Sequence, residues 1–324
     1  MQRMSPPSDG LLLLGEMNGA TVPLERALLV LSGLGTDERM RAHHGKIEAI
    51  FLRFLEKSGL AVQTSPISPP PYLHVDIARR LFEYLWTSKP RRFGEAFLLA
   101  EVVDAQLDPD GSRPVGTCVG LTSLYSVLGL RAGLNLSLLV NSDHLLNRLR
   151  VGDRCIDLDH TDPLGFDCKI GEGFRELPLW TLTASVLNSR GLRNEKLGRW
   201  EAAMMDYDSA IGINPRYANA FNNRGNMRAL LGDLDGAVED YSEAIRLNPG
   251  FCEAHCNRGL ARQRLGHGEE ARRDYLRALV LDPSYGDARR CLESLDRFQE
   301  YAPTDIRHAE TGPGVLEPNH PIQI

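Results

Sequence analysis

Three stretches of the chain repeat one another every 34 residues, and this spacing limits what the polypeptide can fold into more than any other feature. NSRG at 188–191 returns as NNRG at 222–225 and CNRG at 256–259, and LGRW, LGDL and LGHG start at Leu197, Leu231 and Leu265. DYDSAI, DYSEAI and DYLRAL follow, and Pro215, Pro249 and Pro283 close the units. A two-helix unit of this length leaves an apolar face uncovered, so the units must stack on each other and end in a cap. Three units are expected, 184–217, 218–251 and 252–285, with a capping helix over 286–301 (GDARRCLESLDRFQEY). Gly191, Gly225 and Gly259 are expected to face Ala203, Ala237 and Ala271 where the two helices approach, and Tyr207, Tyr241 and Tyr275 to fill the joints between units.

The pattern resembles that of tetratricopeptide (TPR) repeats, which implies an all-α solenoid with an inner groove lined by the first helix of each unit. By that family's spacing the groove residues are Asn188 and Leu192, then Asn219, Asn222 and Asn226, then Glu253, Cys256 and Leu260. The lining is neutral and rich in amides, suited to the backbone of an extended peptide, so a protein or peptide partner is expected there. A stack of local repeats needs only its neighbours, so residues 184–301 are expected to fold without the rest.

Upstream of the repeats lies a second informative block, Gly116 to Asp167. The loop 108–117 (DPDGSRPVGT) is full of turn formers, and from Cys118 apolar residues fall at Leu121, Leu124, Val127 and Leu128, the spacing of one helix face. Cys118 then sits in the first turn with Thr117 as cap, where free N–H groups and the helix dipole favour a thiolate and receive an oxyanion. His144 and the carboxylates Asp157 and Asp159 follow on strand-like segments 134–140, 144–151 and 154–159. A cysteine nucleophile needs a base for its proton and a third group to orient that base. A free cysteine also serves as a small buried hydrophobe, and that reading stands beside the chemical one.

Gly152-Asp153 suits a two-residue hairpin, which sets Val151 opposite Arg154, Leu149 opposite Ile156, and Leu146 opposite Asp159. Asp157 then faces Arg148 as an ion pair. Asp159 becomes the diagonal neighbour of His144, roughly 7–8 Å away between backbones and within side-chain reach. The acid expected on His144 is therefore Asp159.

The same block resembles the transglutaminase-like cysteine domains, whose core is related to papain-type proteases, and bacterial proteins that join such a domain to TPR repeats. Cys118 in VGTCVGLTSLY matches the nucleophile, His144 in SDHLLNRL the histidine and Asp159 in CIDLDHTDPLGFD the acid, within a similarity spanning roughly residues 74–172. Leu145 stands where many members carry an aromatic residue, and His160 rather than proline directly follows Asp159. The resemblance implies acyl transfer or hydrolysis at a peptide or amide bond by a cysteine-dependent amidase, peptidase or acyltransferase, without cofactor or metal. Two other readings remain: an interaction scaffold whose transglutaminase-like part is inactive, and a peptide-binding adaptor that uses its thiol as a redox sensor.

The expected organisation is an α+β transglutaminase-like domain over 23–175, with a helical part at 23–107 and the Cys/His/Asp core at 108–172, followed by the repeats. Helices are expected over 24–31, from the Thr36 cap to Gly59, near 75–87 and near 95–107, with a proline-rich connector at 63–72. Gln106 is weighed as an oxyanion donor, but a surface role is expected. Residues 1–22 and 302–324 lack periodicity and read as disordered.

Net charge of −6 and a pI near 5.9 oppose nucleic-acid binding, which calls for a basic stripe. No stretch reaches the length of a membrane span, and Leu11–Leu14 is too short for a signal core. Six cysteines without regular spacing fit a reducing compartment, so a cytoplasmic location is expected. Cys252, His255 and Cys256 occupy ordinary repeat positions and do not make a zinc site.

Overall fold

A computed structural model describes residues 23–60, 71–89, 92–109, 113–141, 144–171 and 173–301. The segments 1–22 and 302–324, expected to be disordered, lie outside the described residues. So does most of the proline-rich connector, whose last two residues, Pro71 and Tyr72, open a helix instead. Proline suits that first turn because its missing N–H would have no partner there.

The first half contains α1 (Leu24–Leu31), α2 (Asp37–Ser58), α3 (Pro71–Ser88), α4 (Leu99–Leu107) and α5 (Cys118–Arg131). Helix α2 has the expected ends: the Thr36 side chain accepts from the Arg39 N–H, and Gly59 closes it in the left-handed region at φ 66°. Helix α4 starts four residues later than expected. Gly94 N–H donates to the Gly116 carbonyl and Thr117 N–H to that of Ala96, so this stretch runs extended beside the entry to α5. Helix α5 is buried on every side from Val119 to Gly129, which makes it the central rod of this half rather than an amphipathic wall.

Four strands follow: β1 (Leu136–Val140), β2 (Leu145–Val151), β3 (Arg154–Leu158) and β4 (Arg175–Leu177), in the antiparallel order β3-β2-β1-β4. The hairpin register is the expected one, with Val151 opposite Arg154 and Arg148 opposite Asp157, and Gly152 takes φ 60° in the turn. The short β4 was not anticipated. It pairs with the free edge of β1 and brings Glu176 to Ser137, Arg148 and Arg150.

The repeats form α6 (Leu182–Lys196), α7 (Trp200–Ile213), α8 (Ala218–Leu230), α9 (Leu234–Leu247), α10 (Cys252–Arg264) and α11 (Gly268–Leu281). The expected cap follows as α12 (Gly286–Tyr301), with Ala288 and Leu295 buried against Cys256 and Tyr275. A Cβ on Gly191, Gly225 or Gly259 would strike the ring of Tyr207, Tyr241 or Tyr275 first, at 2.5–2.7 Å. The glycines therefore make room for tyrosine rings, a role not anticipated for them. The tyrosines also reach the next unit, Tyr207 clustering with Met227 and Tyr241 with Ala261.

The two halves share one apolar core. Leu182, Ala184, Val186 and Leu187 of α6, with Ala210, Ile213 and Ala220, belong to the same cluster as Leu28, Val102, Val119 and Leu138. Arg193 binds Glu101 through two bonds of 2.6 and 3.0 Å and lies over the Phe97 ring.

A polar pattern with the repeat period runs through the solenoid. Arg190, Arg224 and Arg258 bind the buried carboxylates Asp206, Asp240 and Asp274 within their own units. The remaining Nη1 of Arg224 reaches Asp208 and that of Arg258 reaches Ser242, each in the preceding unit. In the first unit the same atom of Arg190 reaches the Leu31 carbonyl at 3.0 Å. Helix α1 thus stands where a preceding repeat would stand.

Candidate active site

Each expected member of the site is fixed by local chemistry. At the entry to α5 the Thr117 side chain accepts from Gly120 N–H at 3.3 Å, capping the helix beneath Cys118. Gly116 and Gly120 are tight: a Cβ on either would stand 2.6 Å from the Ala96 carbonyl. By helix geometry the N–H groups of Cys118 and Val119 lack intrahelical acceptors. His144 lies just before β2, its N–H donating to Asn141 Oδ1 at 2.7 Å and its carbonyl accepting from Asn141 N–H at 3.0 Å.

Asp159 follows β3 in a loop folded on itself. Its Oδ1 accepts from the N–H and hydroxyl of Thr161 at 2.9 and 2.6 Å, and its N–H donates to the Gly165 carbonyl. The other oxygen, Oδ2, lies 2.9 Å from His144 Nε2. Asp157 instead holds Arg148 through two parallel bonds of 2.7 and 2.9 Å. Among the expected site residues, Asp159 and Cys118 both interact with the His144 imidazole.

With Nε2 held by Asp159, Nδ1 is the nitrogen left for the thiol. The bond to Asp159 and then the nearby Cys118 raise the His144 pKa from 6.5 to about 10, against the opposing effect of burial. Burial works against ionisation of Asp159, but the bonds from His144 and Thr161 outweigh it and hold the carboxyl well below its usual range. At neutral pH the pair is therefore an imidazolium beside a carboxylate.

Other residues at the site were not anticipated. Tyr217, between the first and second repeats, packs on the same core as Cys118. Burial pushes its phenol up to about 12, with Ser185 working the other way and the Cys118 sulphur adding to the rise. Ser185 stands 34 residues before Asn219, so the repeat period carried a signal for it. The first repeat thus forms part of the surroundings of the thiol. His160 and Asn147 are buried beside the site, Nε2 of one 2.9 Å from Oδ1 of the other. Gln106 is neither at the surface nor bonded into the site: it is buried, accepting from Arg92 and donating to Ser88.

Several groove asparagines are committed within the solenoid. Asn188 accepts from Asn223 at 2.9 Å, and Asn222 donates to Glu253 and accepts from Asn257, both at 3.2 Å. Asn226 accepts from the Tyr241 hydroxyl and from Asn257. Buried Asn188 and Asn222 therefore tie one unit to the next, while Leu192, Glu253 and Leu260 are exposed and Asn219 is half-buried. Cys256 is buried under the capping helix rather than lining the groove. Among the described residues no helix is long and apolar enough to cross a membrane, and no group of three His, Cys, Asp or Glu is placed to hold a metal ion.

Comparison with known proteins places the repeats. The family model described as "TPR repeat" matches residues 225–266, and that described as "Tetratricopeptide repeat" matches 252–285. No curated protein matches the chain. Among solved structures, the first TPR of Spaghetti (RPAP3) bound to an HSP90 peptide is 29% identical, covering 36% of this chain and 93% of that one, with a TM-score of 0.35. The Arabidopsis OM64 TPR domain is 28% identical over 36% of this chain and 95% of that one, also at 0.35. The second TPR domain of human RPAP3 in complex with an HSP70 peptide is 28% identical over 35% and 94%, at 0.34. The C-terminal helices are tetratricopeptide repeats.

Proposed function

We propose that residues 23–175 form a transglutaminase-like domain performing cysteine-dependent acyl transfer or hydrolysis on a peptide or amide bond, and that the repeats of 184–285 hold a protein partner. The observation that carries this reading is the 2.9 Å contact between His144 Nε2 and Asp159 Oδ2, with Cys118 also acting on the imidazole. In this reading the proton of the Cys118 thiol already rests on His144, and the thiolate sulphur attacks the carbonyl carbon. The oxyanion is received by the N–H groups at the start of α5, and His144 then gives its proton to the leaving amine. A second nucleophile, water or an amine, attacks the thioester and gives its proton to His144. The products are the acid or new amide and the free thiol. Asp159 keeps the imidazole in orientation throughout.

The exposed Leu192 and Leu260, with the exposed Glu253 that also accepts from Asn222, are the groove residues that face a partner. The placement of Tyr217 beside Cys118 supports a partner presented directly to the thiol.

The experiment is labelling with an amide-mimicking cysteine electrophile on wild type, Cys118→Ala and His144→Ala. One modification near neutral pH, lost in the first variant and strongly slowed in the second, is expected. Labelling spread evenly over the six cysteines refutes the nucleophile. Undiminished labelling of His144→Ala removes the base.

A second reading is favoured by the bond from Arg190 to Leu31: the N-terminal half is the solenoid's cap and its site is silent, the whole being a binding scaffold. A chain that binds its partner equally well with Cys118→Ala, and whose thiol shows no selective reactivity, would support it.

A further inference from the structure

Beneath the site, on the side of β2 facing the core, lies a polar chain that the proposed chemistry does not use. Asn147 faces the core amid Leu145, Leu149 and Val151, and is fully buried. Its Nδ2 donates to Ser126 Oγ at 3.0 Å and to the Ser137 carbonyl at 3.4 Å, while its Oδ1 lies 2.9 Å from His160 Nε2. The His160 ring is 3% exposed, stacks on Tyr125 at 4.3 Å and lies 5.9 Å from Phe82. Ser126 and Tyr125 belong to α5, the helix that begins with Cys118, and Tyr125 is itself tied to α3 by its bond to the Ala78 carbonyl. His160 sits between Asp159 and Thr161, the residue whose N–H and hydroxyl hold the Asp159 carboxylate. In this turn residues 159 and 161 bond to each other at the site while the His160 side chain is buried in the core.

We propose, building on the Cys118–His144–Asp159 reading, that His160 is a positioning residue: its buried bond to Asn147 ties the loop that carries the acid to the helix that carries the thiol. Burying three polar side chains in an apolar core is costly unless each is bonded, and once bonded they specify one arrangement. Here that arrangement sets where Asp159 stands relative to Cys118. Nε2–H donating to Asn147 Oδ1 is the role that completes the Asn147 amide, whose nitrogen already donates to Ser126 and Ser137. The charged groups acting on His160 are Arg92 and His144, which oppose its protonation, and Asp159, which favours it. Burial is the largest influence, and the ring stays neutral down to about pH 3. A neutral imidazole is the form that keeps the site's charges on His144 and Asp159.

The test follows the His144 imidazole by NMR titration in the full chain, alongside His160→Phe and His160→Gln. Phenylalanine keeps the stacked ring and loses the donor, whereas glutamine keeps an N–H near the Nε2 position. In wild type His144 titrates far above an ordinary histidine. With His160→Phe its pKa falls by at least one pH unit, a tenfold or greater change in proton affinity, because Asp159 is no longer held on it. With His160→Gln it stays at the wild-type value. An unmoved titration in His160→Phe overturns the proposal, and so does a fall in His160→Gln equal to that in the phenylalanine variant. Should His160→Phe not fold, Asn147→Leu removes the same bond from its other side and is read in the same way. The titration needs no activity, so an unreactive Cys118 defeats the enzymatic reading without touching this one.

Discussion

Arg148 and Asp157 meet across the β2–β3 hairpin through two parallel bonds, Nε to Oδ1 at 2.7 Å and Nη2 to Oδ2 at 2.9 Å. This pairing separates the roles of two carboxylates that lie two residues apart on one face. Asp157 is occupied by an arginine that also holds Glu176, and Asp159 is left for the histidine.

Asp159→Asn is therefore expected to slow the reaction of Cys118 with an amide-mimicking electrophile tenfold or more, whereas Asp157→Asn changes it less than twofold. The second-order alkylation rate at pH 7 decides. The reverse ranking would assign the orienting role to Asp157.

The loop behind Asp159 makes a second expectation. A Cβ on Gly165 would run into the Asp159 carbonyl and stand 2.9 Å from Asp159 Cβ. Gly165→Ala is expected to destabilise the chain by about 1–3 kcal/mol, the usual range for overpacking. Because the displaced group carries the acid, the variant also lowers the His144 pKa. A destabilised chain with unchanged His144 titration would show that the loop moves without moving Asp159.

Stability against pH follows from the same groups. His160 has a folded pKa of about 3, below its unfolded value, so between roughly pH 6.5 and 3 the unfolded chain binds a proton that the folded state refuses. Stability falls as pH falls through that window. His144 is raised to about 10, so its contribution is fully present below about pH 6.5 and is lost as pH rises through 10. Urea midpoints at pH 5, 7 and 9 are expected to show a shallower acid limb in His160→Gln and a shallower alkaline limb in His144→Gln. Parallel curves for wild type and both variants would contradict these assignments.

What the sequence carried and what it withheld follow from physics. The repeats were legible because every unit restates its spacing, and the acid was legible because Gly152-Asp153 sets one register and the register pairs side chains. Asn147 and His160 were not, since alternation marks Asn147's face as apolar and nothing local distinguishes a buried polar pair from two surface residues. That each repeat glycine makes room for a tyrosine ring was not legible, because alanine and tyrosine recur with the same period and only packing shows which ring fills the space. The role of α1 was hidden for another reason: it replaces a repeat in space without resembling one in sequence.

That replacement bears on how far the repeats stand alone. Arg224 and Arg258 each reach back to the preceding unit, and Arg190 reaches the Leu31 carbonyl in the equivalent way. Buried Leu182, Val186 and Leu187 of α6 pack into the core of the first half. A fragment of residues 179–301, which keeps all of α6, loses these contacts but retains every contact between units and the α12 cap. In a solenoid each unit depends on its neighbours, so the loss is local. The fragment is expected to be helical by circular dichroism, with amide exchange in α6 at least tenfold faster than in the full chain and exchange in α10 and α11 little changed. Equal protection of α6 in fragment and full chain would show that the first half does not act as the solenoid's cap. A fragment without helical signal would show instead that the whole stack depends on it.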